Sequence, residues 1–574
     1  MSKGDPKPEL LELKPVDKET INAFYENRDF VEFEKAKRTS TNTGLTPYSG
    51  DWGKRETLHL LKRVLFGVKP SELEHFSSMS LNECLDELIQ TDPDPEPPIN
   101  DYTEEADFDP DVPLGESWVL AAKGSNEINV ARISSLNSWL IRNIARQPST
   151  IHEKMIIFWH NLLPTAVWGV ANARMSFQYF SLLRKHSLGN YKTLIRELTT
   201  DPAVLYYLNG ARNRKDAPDE NYARELQELF TVGKGSGSGY TESDVQEAAR
   251  LLTGFTVWWL DKDKPGEQKS VFYHPYHDTG DKTFSSFYGN RVIKGRSGNE
   301  GVEELDELLD MIFDVEEVSK YICRRLYSFF VHSEVDESAE TNVITPLAQL
   351  FRDSNYEIML VVKALLGSEH FYDEINRGAT IKNPLDHLLG FWRTTETEEV
   401  EPENPFIIYW LYKGVQAWYL TPTGMSVGSP PSVAGWPPFY QAPSLDRIWI
   451  TTDSITKRAE RMEKTIYGSW WVWRDGRYLK TDLIKFAERL PNPSEPTVLI
   501  QDIWDLLMGI DATEESLAHL KSVLLSDQTS DYYWTNAWSD YQKNKNNTAF
   551  KQTVETRLQS MVYAMSQLGE FQLT

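Results

Sequence analysis

Cysteine is nearly absent from this sequence. Cys84 and Cys323 are the only two among 574 residues. Two distant thiols exclude a cysteine zinc motif and a disulfide framework, and leave room for one long-range disulfide at most. No run of 18 apolar residues occurs, so no membrane-spanning helix is predicted. The opening stretch, MSKGDPKPELLELKP, has no apolar core of signal-peptide length, so we expect no leader within the printed sequence.

Positive charge is also scarce. The 60 Lys and Arg residues face 85 Asp and Glu residues, which gives a net charge of −25. A nucleic-acid surface needs basic residues to meet phosphates, and an anionic membrane attracts them, so both kinds of partner are disfavoured. A local basic pocket is still compatible with this composition. With 40% hydrophobic and 25% charged residues, the chain is predicted to be soluble and globular.

Helical periodicity dominates the rest of the chain. It predicts a mainly α protein: a large multi-helix single core with long Gly/Pro-rich loops and a small β-hairpin-like insertion. The insertion is expected within residues 258–300, where strand-forming residues flank a polar turn; they are Val271, Tyr273, Thr283 and Ser285.

Three parts are expected along the chain. Residues 1–50 are polar and broken by prolines, and predict an extended N-terminal arm. Residues 51–450 are expected to form the core helical domain. Residues 451–574 are expected to add a C-terminal helical segment packed on that core.

The stretch from Asn209 to Phe255 is typical of two helices joined by a glycine-rich turn. The first helix is predicted from Asp219 to Val232. One of its faces carries an amide, a guanidinium and two carboxylates, which can hold a hard cation, orient a phosphate or sugar, or form an ion-pair ladder. These residues are Asn221, Arg224, Glu225 and Glu228.

The second helix of this stretch has a predicted capping box. Thr241 is its expected N-cap and Asp244 takes the position three residues later. Asp244, Glu247 and Arg250 lie on its predicted polar side.

Three further stretches carry candidate residues. In HPYHDTGDK, His277 and Asp278 suit a zinc or other divalent-ion site, a general base with its orienting carboxylate, or a hydrogen-bonded loop anchor. The Pro-rich loop that holds Trp436 suits either the wall of a cleft or a packed Ω-loop. His160 and Asn161 lie on a strongly apolar helix, where the default is a buried histidine with one partner.

Four motifs in order resemble the bacterial family called domain of unknown function 1800. They are ENYARELQELFTVG, YTESDVQEAARLLTGF, HDTGDKTF and SPPSVAGWP, and the start GLTPYSGDWGKRETLHLLKRVLFGVKPSEL is similar to Bacteroidetes-type members. The family's motif positions map onto Asn221, Arg224, Glu225, Glu228, Asp244, Glu247, His277, Asp278, Gly280, Lys282, Gly435 and Trp436.

The resemblance implies a largely helical protein without an assigned activity. It also implies a partner from the family called domain of unknown function 1501, whose members resemble sulfatases and alkaline phosphatases, and an extracytoplasmic (periplasmic or secreted) location. One position departs from the family: many members have Asn-His-Phe where Asn161 is followed here by Leu162 and Leu163. If that histidine is an essential ligand, this chain has lost it, unless His160 substitutes.

Two hypotheses about function follow. In the first, the helix face and the His277 loop meet in one cleft, where Glu225, Glu228, His277 and Asp278 bind a divalent cation or act as acid and base. Asn221, Arg224, Lys282 and Trp436 would bind the substrate, and the reaction would be hydrolysis or group transfer on an anionic extracellular glycan or polymer. In the second, the same residues form a structural network, and the protein is a non-catalytic scaffold or binding partner.

Overall fold

Amphipathic helices build most of the chain. The computed structural model describes residues 43–257, 264–473 and 476–574, and these fall within one compact unit, Asn42–Thr574. The first helices are α1 (Lys54–Val64), α2 (Pro70–Ser77), α3 (Leu81–Leu88), α4 (Asn126–Ala145), α5 (His152–Leu162), α6 (Val167–Val170), α7 (Ala173–Lys185), α8 (Tyr191–Thr199), α9 (Pro202–Tyr207), α10 (Asn221–Glu225) and α11 (Glu242–Leu251).

The second half continues in the same way. Its helices are α12 (Glu304–Phe313), α13 (Glu316–Phe330), α14 (Glu337–Ala339), α15 (Thr345–Asp353), α16 (Ile358–Leu366), α17 (Pro384–Thr394), α18 (Pro405–Val415), α19 (Thr452–Tyr467), α20 (Leu483–Ala487), α21 (Pro496–Leu507), α22 (Glu514–Leu524), α23 (Tyr532–Lys543) and α24 (Thr548–Gln567). The mainly α prediction is therefore confirmed.

Strands are few and short within the described residues. They are β1 (Phe255–Val257), β2 (Ser270–Phe272), β3 (Lys282–Thr283), β4 (Val292–Ile293), β5 (Trp470–Trp473) and β6 (Arg477–Leu479). They pair as three antiparallel ladders, β1 with β2, β3 with β4 and β5 with β6. The predicted small β insertion is thus present, although Val271 and Thr283 lie in different ladders because each strand pairs with a neighbour outside the expected hairpin.

Local sequence signals explain several helix ends. Thr241 caps α11 as predicted, and its side chain and that of Asp244 each accept the other's backbone N–H. Asn383 caps α17, with Pro384 at the first helical position. The predicted helix from Asp219 begins two residues later, and it continues past Glu225 as a π-helical segment, Leu226–Thr231.

Helix packing joins distant parts of the chain. The long helix α4 packs against α18, and α17 packs against both α19 and α21. Helices after residue 450 therefore contact the preceding part through α17, while the division into core and C-terminal segment stays a prediction. Of the predicted arm at 1–50, residues 1–42 lie outside the described residues. None of the described helices is both long enough and apolar enough to cross a membrane.

Close packing fixes one junction that matters below. The turn after α1 passes directly over α17, and Gly67 there has φ +88. A Cβ at Gly67 would lie 2.2 Å from the backbone oxygen of Gly390. Only glycine fits this approach, which holds α1 and α17 side by side.

Candidate functional site

The polar side of α11 holds the loop from residue 277 to residue 285, called here the HDTGDKTF loop after most of its sequence. The Asp244 carboxylate accepts hydrogen bonds from the backbone N–H and the hydroxyl of Ser285, both at 2.7 Å. One turn along, Glu247 accepts the backbone N–H of Thr283 at 3.1 Å. The capping residue of α11 therefore also fastens the far end of the loop.

Arg250, on the same side of α11, binds the near end of the loop. Its Nε and Nη2 donate to the two carboxylate oxygens of Asp278 at 2.9 and 3.1 Å. Burial alone raises the pKa of Asp278, but the hydrogen bonds from Arg250 and from the backbone of Gly280 outweigh it and hold that pKa below its ordinary value. Asp278 is thus already engaged by a bidentate arginine.

A buried carboxylate lies behind the loop. Glu304, at the start of α12, accepts from His277 Nε2 at 3.1 Å and from Lys282 Nζ at 2.6 Å. It also accepts the backbone N–H of Arg296 at 2.6 Å. None of the three side chains, His277, Lys282 and Glu304, has exposed surface. We call these three residues the Glu304 cluster.

Acceptors flank both nitrogens of the His277 ring. Nδ1 lies 2.9 Å from the backbone oxygen of Thr253, and Nε2 faces the Glu304 carboxylate. Carbonyl and carboxylate oxygens only accept hydrogen bonds, so the ring is held between two acceptors. Gly301 packs directly against the His277 ring, since a Cβ there would lie 2.7 Å from the ring. The ring is therefore fixed by its fold and shielded from ligands.

Glu304 also shows how the cluster balances its charge. Burial raises the pKa of Glu304, and the hydrogen bonds from His277, Lys282 and the backbone of Arg296 more than offset this, so that the pKa lies below its ordinary value. The carboxylate is ionised and matched by a lysine at contact distance. Sequence reasoning missed Glu304, because ELDELL carries the ordinary pattern of an acidic helix start.

The predicted metal ligands have separate partners. Among the described residues, no group of three or more His, Cys, Asp or Glu side chains is placed so as to hold a metal ion. His277 binds Glu304, and Asp278 binds Arg250. Glu228 pairs with Lys234. A divalent-cation site therefore stays a prediction, and no cluster of ligands among the described residues supports it.

The predicted substrate-binding face on α10 is a surface ladder. Arg224 donates to Glu220 at 2.9 Å and to Glu242 at 3.0 Å, with a third of its side chain exposed. The Asn221 side-chain amide donates to the backbone oxygen of Leu208 at 3.2 Å. These contacts tie α10 to α11 and to the turn before it.

Glu225 differs from its neighbours. It is half-buried, and its Oε2 is buried without a hydrogen-bond partner among the described residues. Burial raises the pKa of Glu225, and the charges of Lys234 and Arg224 only partly oppose this. Glu225 is the residue of the predicted set that keeps a free acceptor.

The Pro-rich loop and the apolar helix meet at Trp436. The Asn161 side chain accepts the backbone N–H of Trp436 at 2.9 Å, and a Cβ on Gly435 would lie 2.2 Å from the Asn161 backbone oxygen. Trp436 is fully buried, edge-on to His160. Packing against α5 leaves no ring surface of Trp436 exposed in this conformation, and its contact with a substrate stays a prediction.

His160 is a core histidine. Its Nδ1 lies 3.0 Å from the Tyr179 hydroxyl, which itself donates to the Leu163 backbone oxygen. Burial lowers the pKa of His160 to about 3. Leu162 and Leu163, where the family pattern has His-Phe, are buried as well, so the departure fills the core with apolar side chains.

A second charged region escaped sequence reasoning. Cavities beside α1 and α17 gather four cations and two carboxylates from segments far apart in the chain, called here the Lys62 cavity; they are Lys62, Arg63, Lys154, Lys382, Asp386 and Asp446. The signal that was available is Lys154, a lysine within the apolar run of α5. The Pro-rich loop does wall this region, through Pro438 and Phe439.

Comparison with known proteins gave one match. A family model described as "Protein of unknown function (DUF1800)" matches residues 59–573, nearly the whole chain. That range includes the Glu304 cluster and the whole Lys62 cavity. Searches among curated proteins and among solved structures gave no match.

Proposed function

The chain belongs to the DUF1800 family, and from that premise we propose that it is a non-catalytic binding protein in which the polar motif residues hold the fold together. One observation carries this: Glu304, without exposed surface, binds His277 and Lys282, which are likewise sealed from solvent. A general base has to lie within hydrogen-bonding reach of its substrate. A ring closed between Thr253, Glu304 and Gly301 is not placed for that role.

The motif residues have a clear structural task in this proposal. Asp244, Glu247 and Arg250 on α11 hold the HDTGDKTF loop at three points. The loop in turn presents Lys282 and His277 to α12. The three carboxylates Asp278, Glu247 and Glu304 face cations or backbone donors, which is the arrangement of a network that orders a fold.

The test compares stability with metal content. We expect His277→Asn and Lys282→Met to lower the free energy of unfolding in urea, because each leaves a buried partner of Glu304 missing. Metal analysis of the purified wild type by mass spectrometry should find no stoichiometric divalent ion. A metal-loaded wild type whose His277→Asn variant loses the ion and keeps its stability would overturn the proposal.

Hydrolysis or group transfer on an anionic extracellular glycan or polymer is the second candidate, and Glu225 is the observation that favours it. A half-buried carboxyl with a raised pKa and a free oxygen suits a general acid. Glu225→Gln keeps the shape and removes the acid. Loss of turnover on sulfated or uronate-containing polysaccharides, with an unchanged melting temperature, would support this candidate over the first; equal turnover would remove it.

Location and partner remain proposals drawn from the family resemblance. We propose an extracytoplasmic site of action, together with a DUF1501-type protein that resembles sulfatases or phosphatases. Fractionation of native cells with an antibody to this chain tests the location. Affinity purification from the same cells tests the partner, and recovery of the chain alone from the cytoplasm would contradict both.

A further inference from the structure

The Lys62 cavity lies where α1, α5, α17 and the loop around residues 437–449 come together. Its larger part has a volume of about 50 Å³ and is lined by Lys62, Arg63, Lys154 and Asp386. A water molecule needs only roughly 10–15 Å³ of such space. This part therefore has room for a compact ion of a few heavy atoms, and not for a glycan.

A smaller part of the cavity continues past Lys62 and Asp386. It measures about 30 Å³ and is lined by Lys382 and His387. His387 is buried, and its Nε2 has no hydrogen-bond partner among the described residues. A third space, of about 280 Å³, shares Lys62 and reaches the surface at Arg55. Lys62 thus lies between a surface groove and the two smaller spaces.

Lys62 and Lys382 hydrogen-bond to backbone oxygens rather than to carboxylates. Lys62 Nζ donates to the backbone oxygens of Asp505 and Met508. Lys382 Nζ donates to those of Leu507 and Phe571, at 2.8 and 2.9 Å. Each ammonium has three N–H groups, so each lysine keeps one donor beyond these contacts.

The two arginines nearby follow the same pattern. Arg63 donates to the Asn376 backbone oxygen at 2.7 Å and to the Thr380 hydroxyl. Arg458 donates to the Gln572 side chain at 3.1 Å and to the Lys382 backbone oxygen at 2.9 Å. Neither these arginines nor the two lysines form an ion pair in the part of the chain that the structure describes.

Two acidic side chains line the two smaller spaces. Asp386 is paired with Lys154 and also accepts from the Asn383 amide at 2.6 Å. Asp446 accepts the backbone N–H of Ile381 at 2.9 Å. Asp505 and Asp511 face Lys62 from the groove, and each is already paired, with Lys54 and Arg55 respectively. After these pairs and the Lys154–Asp386 pair cancel, Lys62, Lys382, Arg63 and Arg458 remain beside Asp446 and the last residue, Thr574, in a protein whose net charge is −25.

The electrostatics of the two lysines agree with this excess. Burial of the amino group and, to a smaller extent, the charges of Lys62 and Arg458 lower the pKa of Lys382 to about 7, against the opposing charge of Asp386. Burial lowers the pKa of Lys62 to about 8. A bound anion would stabilise the protonated forms and so offset the cost of desolvating them.

We propose that the Lys62 cavity binds a small tetrahedral oxyanion, phosphate or sulfate, in its larger part through Lys62 and Arg63, with Lys382 beside Lys62 in the smaller part. Ammonium groups bind such oxygens as point charges, and a partly buried guanidinium adds directed donors. The anion is either a free ion or the phosphate or sulfate group at the end of a larger ligand lying in the groove near Arg55. The anion site goes beyond the proposed binding function. It rests on that function only because it names the class of ligand that the protein would bind.

Calorimetric titration of the purified chain with sodium sulfate and sodium phosphate tests the proposal, with chloride at equal ionic strength as the reference. We expect saturable binding of one oxyanion per chain. Lys382→Met and Lys62→Met should each weaken binding roughly tenfold or more, as the loss of a charge-assisted hydrogen bond predicts. The absence of saturable binding to wild type, or unchanged affinity in both variants, would overturn the proposal.

Arg132→Met is the matched control. Arg132 is a buried cation remote from the cavity, and its carboxylate partner is Asp109 at 2.8 Å. This variant should lose stability and keep the affinity of the wild type. Glucose 6-phosphate and glucose 6-sulfate form the second arm: tighter binding than the free ion assigns the anion to a larger ligand, equal or weaker binding assigns it to the free ion, and both support the cavity as the site.

A wild-type measurement guards against variants that do not fold. Sulfate does not change its charge near neutral pH, so its affinity should fall between about pH 6 and about pH 9 as Lys382 and Lys62 lose their protons. The charged groups that face these two lysines are Lys54, Asp386, Arg458, Asp505 and Asp511. An affinity that rises over this range would contradict the assignment. These experiments measure anion binding alone. If the structural role proposed for His277 proved wrong, the result on anion binding would still hold.

Discussion

The Glu304 cluster and the Lys62 cavity are both charged, yet they differ in burial and in the partners of their cations. In the cluster, one carboxylate meets a lysine and a histidine at contact distance, and a glycine closes the remaining space. In the cavity, Lys62 and Lys382 donate only to carbonyl oxygens among the described residues, and spaces of about 50 and about 30 Å³ adjoin Lys62.

This difference separates structure from function. A buried charge with a complete set of partners needs nothing from outside, and it loses stability when one partner is removed. Burying cations that form no hydrogen bond with a carboxylate is unfavourable in free energy until an anion binds to them. The motif-rich stretch therefore builds the fold, and the region without any local motif is the one suited to a ligand.

The largest expected effect comes from breaking the cluster. Glu304→Ala leaves Lys282 buried without a counter-charge, which should cost about 3–5 kcal/mol of unfolding free energy. Urea denaturation measures it. The matched control is Asp306→Ala on the same helix, where an exposed pair with Arg196 should contribute under about 1 kcal/mol. Similar losses in the two variants would remove the distinction between a sealed and an exposed carboxylate.

The stability of the protein at alkaline pH should depend on Lys382 in the Lys62 cavity. The folded pKa of Lys382 is about 7, below its ordinary value, so between the two the unfolded chain holds a proton that the folded chain lacks. The contribution of Lys382 to unfolding free energy therefore rises with pH through this window. In chloride buffer, the free energy of unfolding should rise more with pH for the wild type than for Lys382→Met. Parallel pH profiles would show that this lysine titrates normally.

Acid pH should weaken the cluster. The folded pKa of Glu304 lies below its ordinary value. Its contribution is complete above the ordinary carboxyl pKa and is lost as pH falls through the folded pKa. Glu304→Gln should show a shallower loss of stability in acid than the wild type. A steeper loss in the variant would mean that Glu304 is not held ionised by its partners.

The smallest effect is expected at the surface ladder of α10. Arg224→Ala removes contacts with Glu220 and Glu242 that solvent screens, so the cost should stay below about 1 kcal/mol. Sulfate affinity should not change. A loss of several kcal/mol, or of anion binding, would place Arg224 in the working part of the protein after all.

Local patterns predicted the helices well because they depend on nearby residues. The periodicity of α11, its Thr241–Asp244 capping box and the proline at the start of α17 are all visible within a few positions. The polar side of α11 was visible too, although its partner, the HDTGDKTF loop, was expected to meet α10. Which helix a loop contacts is set by tertiary packing, and no spacing along the chain encodes it.

The Lys62 cavity shows the limit of such reasoning. Lys62, Lys154 and Lys382 come from three segments spread over more than half of the chain. Each looks like an ordinary helical or loop lysine, except Lys154 within its apolar run. Their convergence is a property of the assembled fold, opposite in sign to the net charge that disfavoured a nucleic-acid or anionic-membrane partner.

The most direct test of the account is a crystal structure with selenate, a sulfate analogue whose selenium gives an anomalous signal. We predict a difference peak in the Lys62 cavity, within hydrogen-bonding distance of Lys62 or Lys382 Nζ, and none at the Glu304 cluster. A selenate bound to His277 and Lys282, with no peak beside Lys62, would contradict the central claim that the unbalanced region binds the anion.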